Sequence, residues 1–363
     1  MKAACLFHQL LTLPLLLFSS PVLWGGPAHA QTRSAGLEGL IKAAAVEGQL
    51  AVQSAAPDNP KTWAAWEKAI RARYGISVTL QHTIGPQMPQ MAARLIEEFK
   101  AGKPASSDVY IGTEATMVEV SRAGAMQVVN WAELSPEIPR DAIAPDQSAV
   151  AFATLARAVA YNTRLVPKDQ VPRTLDDVLH PRFKGKVAST PVAVGFVPAA
   201  LVAGEERITK FLTSLARGGN LAGLIPCGQE ERIIAGEFAL FVFSCSSRDG
   251  EVAKRKGGPL DQTLLEDAPT IGYWYMGVPK NSRHPNLARL FTLFVETGEA
   301  QRIMWEHDAI DLHLIKGTNM AREVERWRAR GIEPKVFGVQ EMLAMGKTFG
   351  DLRVKFQKIL RGD

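Results

Sequence analysis

Ser244, Cys245, Ser246, Ser247 and Arg248 stand in one run directly after the apolar residues 238–243. Four small polar or thiol side chains beside one guanidinium suit an anion, because arginine offers forked, permanently charged donors that match a carboxylate or phosphonate. The same Arg248 also reads as the start of a helix, or as a partner of Asp249 or Glu251. Pro226-Cys227-Gly228-Gln229 precedes a short helix, so its backbone N–H groups are placed to cradle an anion. Residues 191–196 form the matching loop after Val187-Ala188-Ser189. Phe196 at its end is either the floor of an organic ligand site or a core side chain.

Other groupings carry less chemistry. Glu306, His307, Asp308, Asp311 and His313 have the residue types of a metal cluster but meet no known ligand spacing. Cys245 has neither a neighbouring histidine nor the Gly-x-Ser-x-Gly turn of a nucleophile elbow. No acid–base pair is visible, which points to binding rather than catalysis. Tyr273 and Tyr275 flank Trp274 on a predicted strand and share one face, directed into a cleft or packed between lobes.

The chain has to supply elements that position these groups. Its 363 residues are 46% hydrophobic and 22% charged, a globular composition long enough for two domains. The net charge of +5 is spread thinly, and the densest basic stretch is only Lys254-Arg255-Lys256, which argues against a nucleic-acid partner. Lys2 precedes an apolar run broken by Pro14 and Pro21 and ending in Ala28-His29-Ala30. Residues 1–30 therefore read as a signal peptide cut after Ala30, with the mature chain exported. Cys5 lies before the apolar region and no cysteine sits at the cut, so no lipid anchor is expected. No other segment reaches the roughly 18 apolar residues of a membrane helix.

The exported part alternates strands and helices. Strands are expected around residues 50–52, 76–80, 108–111, 149–155, 158–161, 187–189, 221–225, 238–243 and 271–278. Helices are read from Trp63, Trp66 and Ile70, from Met91, Leu95 and Phe99, from Leu201 through Leu215, from Leu287 through Val295, and from Val324 and Trp327. This grammar specifies an α/β fold with mostly parallel sheets flanked by helices.

Several stretches resemble the periplasmic solute-binding proteins of ABC importers, in the ferric-iron-binding branch of the type II periplasmic binding protein fold. They are Tyr161-Asn162-Thr163-Arg164-Leu165-Val166, then Leu175-Asp176-Asp177-Val178-Leu179 and His180-Pro181-Arg182-Phe183-Lys184-Gly185. Asp108-Val109-Tyr110 with Glu114-Ala115-Thr116, Gly236-Glu237-Phe238, and Gly277-Val278-Pro279-Lys280 with His284-Pro285-Asn286 add to the likeness, which covers most of residues 45–310. The resemblance implies two lobes joined by hinge strands: 31–155 with 275–363, and 156–274. A small ligand is held in the cleft between them.

Where ferric-binding relatives carry two adjacent tyrosines after a Gly-Glu pair, the same count from Glu237 lands on Ser246-Ser247. Ser54-Ala55-Ala56-Pro57 stands where they carry a histidine. The resemblance thus implies the fold without the usual iron ligands. No cofactor is expected, and iron capture by altered ligands remains the alternative. The implied cleft residues are Ser54, Gln87, Thr113, Glu114, Tyr161, Gly195, Phe196, Gly228, Ser246, Ser247 and Arg248. Glu114 is the one carboxylate expected there, so the ligand is expected to be a small polar anion. The implied partner is an importer permease in the inner membrane, with a periplasmic sensor role as the other possibility and a monomer as the expected state. In the family's strand order the strands before Cys227 and Cys245 flank a shared strand. That sets their backbones roughly 9.6 Å apart, beyond the roughly 7 Å reach of a disulfide, so two free thiols are expected unless the loops that carry them converge.

Overall fold

The computed structural model describes residues 34–193 and 195–363. The expected signal peptide, with its cut after Ala30, lies outside the described residues.

The first lobe opens with strand β1 (Gln49–Ser54), which runs parallel to β2 (Thr79–Ile84), with Gln49 opposite Thr79. Leu50, Val52 and Ser54 alternate inward along β1, the period expected of a half-buried strand. The expected strand at 76–80 begins later, because the ladder with β1 starts at Thr79; Ile76 and Val78 are buried on the approach to it. β3 (Tyr110–Thr113) and β4 (Val150–Ala156) complete the outward half of this lobe.

The second lobe holds β5 (Val159–Asn162), β6 (Val187–Ser189), β7 (Leu221–Leu224), β8 (Leu240–Val242) and β9 (Leu260–Thr263), in the order β7-β6-β8-β5-β9. β6 is parallel to β7 and β8, while β5 is antiparallel to β8 and β9. The chain then returns to the first lobe through β10 (Thr270–Gly277), antiparallel to β3 and β4 and parallel to β11 (Lys335–Phe337). Two crossings thus join the lobes: Arg157-Ala158 between β4 and β5, and residues 264–269 between β9 and β10.

Each lobe has its own core. In the first, Trp63 and Trp66 pack on Phe291, and the Trp66 indole N–H donates to the Ala300 carbonyl at 3.0 Å. In the second, Phe196, Phe211, Leu212, Leu215 and Phe243 cluster. The one long helix expected between Leu201 and Leu215 is two, Phe196–Ala203 and Glu205–Arg217, broken at Gly204 where φ is +91°. The lobe boundaries also shift. β10 pairs with β4 from Ile271 onward, so the return begins before residue 275. The last helix, Lys347–Arg361, lies within the stretch expected in the first lobe, yet it inserts Leu352, Phe356 and Leu360 into the second core. Its apolar stripe at a spacing of four residues finds its partner in the helices 196–217.

Asp108 shows why the return motif around His284 has its residue types. Its buried carboxylate accepts from the backbone of Ala51, Arg283 and His284 and from the Ser282 hydroxyl, and lies 2.8 Å from His284 Nδ1. These bonds outweigh burial and hold its pKa below the usual aspartate range.

Candidate functional site

The segments at the carboxyl ends of β1, β3 and β4 meet the loop after β8, in keeping with open α/β sheets binding ligands beyond their strand ends. Side chains from both lobes meet along this junction.

Glu114 opens the helix Glu114–Arg122 after β3, with Thr113 as its N-cap. Its Oε1 accepts from Arg157 Nη2 at 2.9 Å, and the two side chains are 5% and 2% exposed. Burial raises the Glu114 pKa, while the adjacent guanidinium pulls it back. Arg157 occupies the first crossing itself, and its Nη1 donates to the Cys245 carbonyl at 2.9 Å. Gly272 on β10 makes the room: a Cβ there would lie 2.9 Å from Arg157 Nη2. One side chain therefore ties the crossing to β3 of the first lobe and to the loop after β8 of the second. The sequence reading missed Arg157. Its signal was a lone charge within residues 150–162, all of which are buried.

Ser246 and Ser247 perform structural work. The Ser246 hydroxyl caps the helix Ser247–Arg255 by accepting from Arg248 N at 3.1 Å, and the Ser247 hydroxyl accepts from Ala156 N at 3.1 Å across the crossing.

Arg248 follows the second of its two readings, at a helix start and paired with Asp249, and Glu114 is not the one carboxylate of this junction. Its Nε donates to the Asp308 carbonyl at 3.1 Å, its Nη2 to Asp308 Oδ1 at 3.3 Å and to Asp58, and its Nη1 to Asp249 at 3.3 Å. Asp58 and Asp308 belong to the first lobe, so the folded chain builds around Arg248 a carboxylate set that is scattered in the sequence. Asp308 is held by the backbone N–H groups of Asp58 and Asn59 and by the Thr62 hydroxyl. Seven residues on, Arg255 donates to the carbonyls of Trp305 and Glu306 and lies over the Trp305 ring. Two arginines of the second lobe thus satisfy the carbonyl end of the first-lobe helix Gly298–Asp308, where helix carbonyls lack partners and positive charge is favoured.

The two thiols are not free. Cys227 and Cys245 form a disulfide with Cα atoms 5.5 Å apart. The strand order is the expected β7-β6-β8, but both cysteines lie beyond their strands, and the loops converge over β6.

The remaining expected residues are scattered. The Ser54 hydroxyl bonds to the Pro57 carbonyl and to His82 Nε2, beside Asp58. His82 stacks on Trp63, and burial lowers its pKa. Phe196 is fully buried against Phe243 and is a core side chain rather than a ligand floor. Gly195 is required because a Cβ would lie 2.4 Å from Phe243 Cβ. Tyr161 is buried in the second core. Gln87 is exposed at the start of the helix Met88–Lys100. Tyr273 and Tyr275 pack edge-to-face, Tyr273 stacks on His313, and the Tyr275 hydroxyl accepts from Val339 N. Asp311 accepts from the amides that open the helix Asn319–Ala329, and among the described residues no cluster of three metal-ligating side chains forms.

Gly228 faces a groove of about 390 Å³ on the second lobe, with Glu230 and Asp249 beside it. Burial and the Asp249 charge push the Glu230 carboxyl up to about 8. The folded state therefore holds this proton where the unfolded chain releases it, and stability falls as pH rises from the ordinary glutamate range to about 8. Glu230→Gln is expected to raise the melting temperature by a few degrees at pH 8 and by little at pH 5. Equal gains at both values would contradict this.

A family model described as "Bacterial extracellular solute-binding protein" matches residues 65–312, more than half of the chain. The chain belongs to the bacterial extracellular solute-binding proteins. The family is one of binding proteins, not an enzyme class. Solved structures share the fold of this solute-binding protein. The substrate-binding protein of an ABC transporter from Agrobacterium tumefaciens is 19% identical, with a TM-score of 0.70, over 86% of this chain and 94% of that one. Iron-bound HitA from Pseudomonas aeruginosa is 18% identical, with a TM-score of 0.64, over 86% and 99%. AfuA from Actinobacillus pleuropneumoniae, with fructose-6-phosphate bound, is 17% identical, with a TM-score of 0.57, over 87% and 98%. No curated protein sequence matches this solute-binding protein significantly.

Proposed function

We propose that this protein is the periplasmic solute-capturing subunit of an ABC importer, acting as a monomer that closes on a small polar organic anion and docks on an inner-membrane permease. Arg248 carries the reading. It stands on the second lobe and contacts the first, so a ligand at this point senses closure. Of its carboxylate partners, Asp58 is the most open, at 38% exposed against 27% for Asp249 and 0% for Asp308. Asp58 serves as the exchangeable partner: a ligand carboxylate, phosphonate or phosphate takes its place on the guanidinium while Asp308 keeps Arg248 aimed. Closure gains contacts from both lobes, and the population shifts towards the closed form.

A thermal-shift panel of organic anions, cations and neutral sugars tests this, with native mass spectrometry of the protein purified without refolding to identify retained solute. Stabilisation by an anion is expected, growing as ligand exceeds its dissociation constant. Arg248→Ala should weaken it about ten- to hundredfold, the effect of losing a charge-assisted hydrogen bond of roughly 1.5–3 kcal/mol. Stabilisation by cations alone, or an anion shift untouched by the substitution, would remove the anion from this site.

A further inference from the structure

We propose a second binding site, beside the hinge, for a small organic anion with a flat apolar body. The proposal goes beyond the solute reading above and rests on a different cavity.

A cavity of about 320 Å³ lies between the lobes on the β4 side of β10, whereas Glu114 follows β3 across that strand. Of the residues expected to hold solute, it contains only Ser247. Its volume falls in the range of small-molecule sites. The first lobe contributes Trp305, Met320 and Trp327 as apolar walls, and the second contributes Ser247 and Lys254. Arg255 covers one face of Trp305 at 4.7 Å and keeps that ring oriented.

The charges decide the class of ligand. Each lining carboxylate has a cation: Asp261 pairs with Lys254 at 3.0 Å, Glu251 with Arg255 at 3.1 Å, and Glu323 with Arg326. Arg322 lines the cavity too, but bonds only to neutral oxygens, the Gly317 carbonyl and Asn319 Oδ1, both at 2.6 Å. Among the described residues it forms no ion pair. The nearby Asp311 is buried, and its two oxygens are committed to the Asn319 and Met320 amides. Asp311 and Arg322 feel each other's charge but share no hydrogen bond, so the cavity presents one cation with no carboxylate in contact beside two indoles and a thioether. A carboxylate on a flat apolar ring satisfies both features, because a guanidinium takes a carboxylate in a forked geometry and the indoles bury the ring.

The crossing strands form part of the wall through Thr154, Ala158 and Leu264. An occupant touching both lobes and the hinge binds one lobe angle better than others. By linkage it changes the affinity of the main cleft by the same factor with which solute changes its own.

The probe is 4-fluorobenzoate, followed by fluorine NMR on the full mature protein. Saturable binding is expected, with an upfield shift from the indole rings that is lost in Trp305→Leu. Arg322→Gln should weaken binding tenfold or more, and Arg322→Lys should fall between it and the wild type, because it keeps the charge but loses the fork; unchanged melting temperatures confirm that both variants are folded. Absence of saturable binding, or binding indifferent to Arg322→Gln, overturns the proposal. Binding that depends on Arg248 rather than Arg322 also overturns it, because the probe is then in the main cleft. Solute capture is scored by Arg248 dependence and this site by Arg322 dependence, so either can fail alone.

Discussion

Glu114→Ala is expected to destabilise the protein by about 3–5 kcal/mol, the cost of leaving a buried charge without its partner. The stranded charge is Arg157, 2% exposed at the crossing between the lobes. Its remaining bond, to the Cys245 carbonyl, does not neutralise it. Replacing both residues, Glu114→Leu with Arg157→Met, should recover most of the loss, because an apolar pair of similar volume leaves no buried charge. Denaturant melts of the two single variants and the double variant form a cycle whose coupling term isolates the pair. Single losses under about 1 kcal/mol, or additive losses with no coupling, would show that the ion pair does not hold the hinge. The effect should reach function too, because Arg157 sets how the loop after β8 approaches the first lobe. Solute affinity should fall in Glu114→Ala even where the variant remains folded.

The architecture was legible because its elements write themselves locally. β4 and β5 are continuous apolar runs, as strands covered on both sides must be, and they lie at 150–156 and 159–162, within a residue or so of expectation. The Val324 and Trp327 stripe is a helix, Asn319–Ala329, packed at the crossing. β9 and β11 escaped notice: β9 is short and largely polar, β11 is only three residues long, and each is a strand only because a neighbour offers it a ladder.

The site was harder to read, since its contacts are long-range. Arg248 and Asp308 are 60 residues apart, and Arg248 and Asp58 are 190 apart. Nothing in the run Ser244–Arg248 indicates that carboxylates of the other lobe will surround its guanidinium. The same run did signal that Arg248 opens a helix, because a serine just ahead of it is a capping residue. For Ser246 and Ser247, departure from the ferric-binding pattern was visible in residue type. The roles that replaced it, a cap and a bond across the crossing, required the fold.

Removing the Cys227–Cys245 disulfide is expected to cost about 3 kcal/mol, the chain-entropy value for closing a loop of this length, given a sequence separation of 18. The bond ties the loops after β7 and β8 over β6, at the edge facing the first lobe. Cys245 also supplies the carbonyl that Arg157 holds and precedes the capping Ser246, so the loosened segment carries Arg248 with it. An exported chain keeps such a bond, because its compartment is oxidising. The double variant Cys227→Ser with Cys245→Ser should melt roughly 4 °C lower than the oxidised protein, and reductant should lower the wild type similarly while leaving the variant unchanged. Anion affinity at Arg248 should fall alongside, because the guanidinium loses part of its preorganisation. Thiol counting in denaturant supplies the direct check: the oxidised mature protein should show no reactive thiol, and two would mean that the loops do not converge. A variant that melts with the wild type while the count confirms a bond would show that packing over β6, rather than the cross-link, holds the loops together.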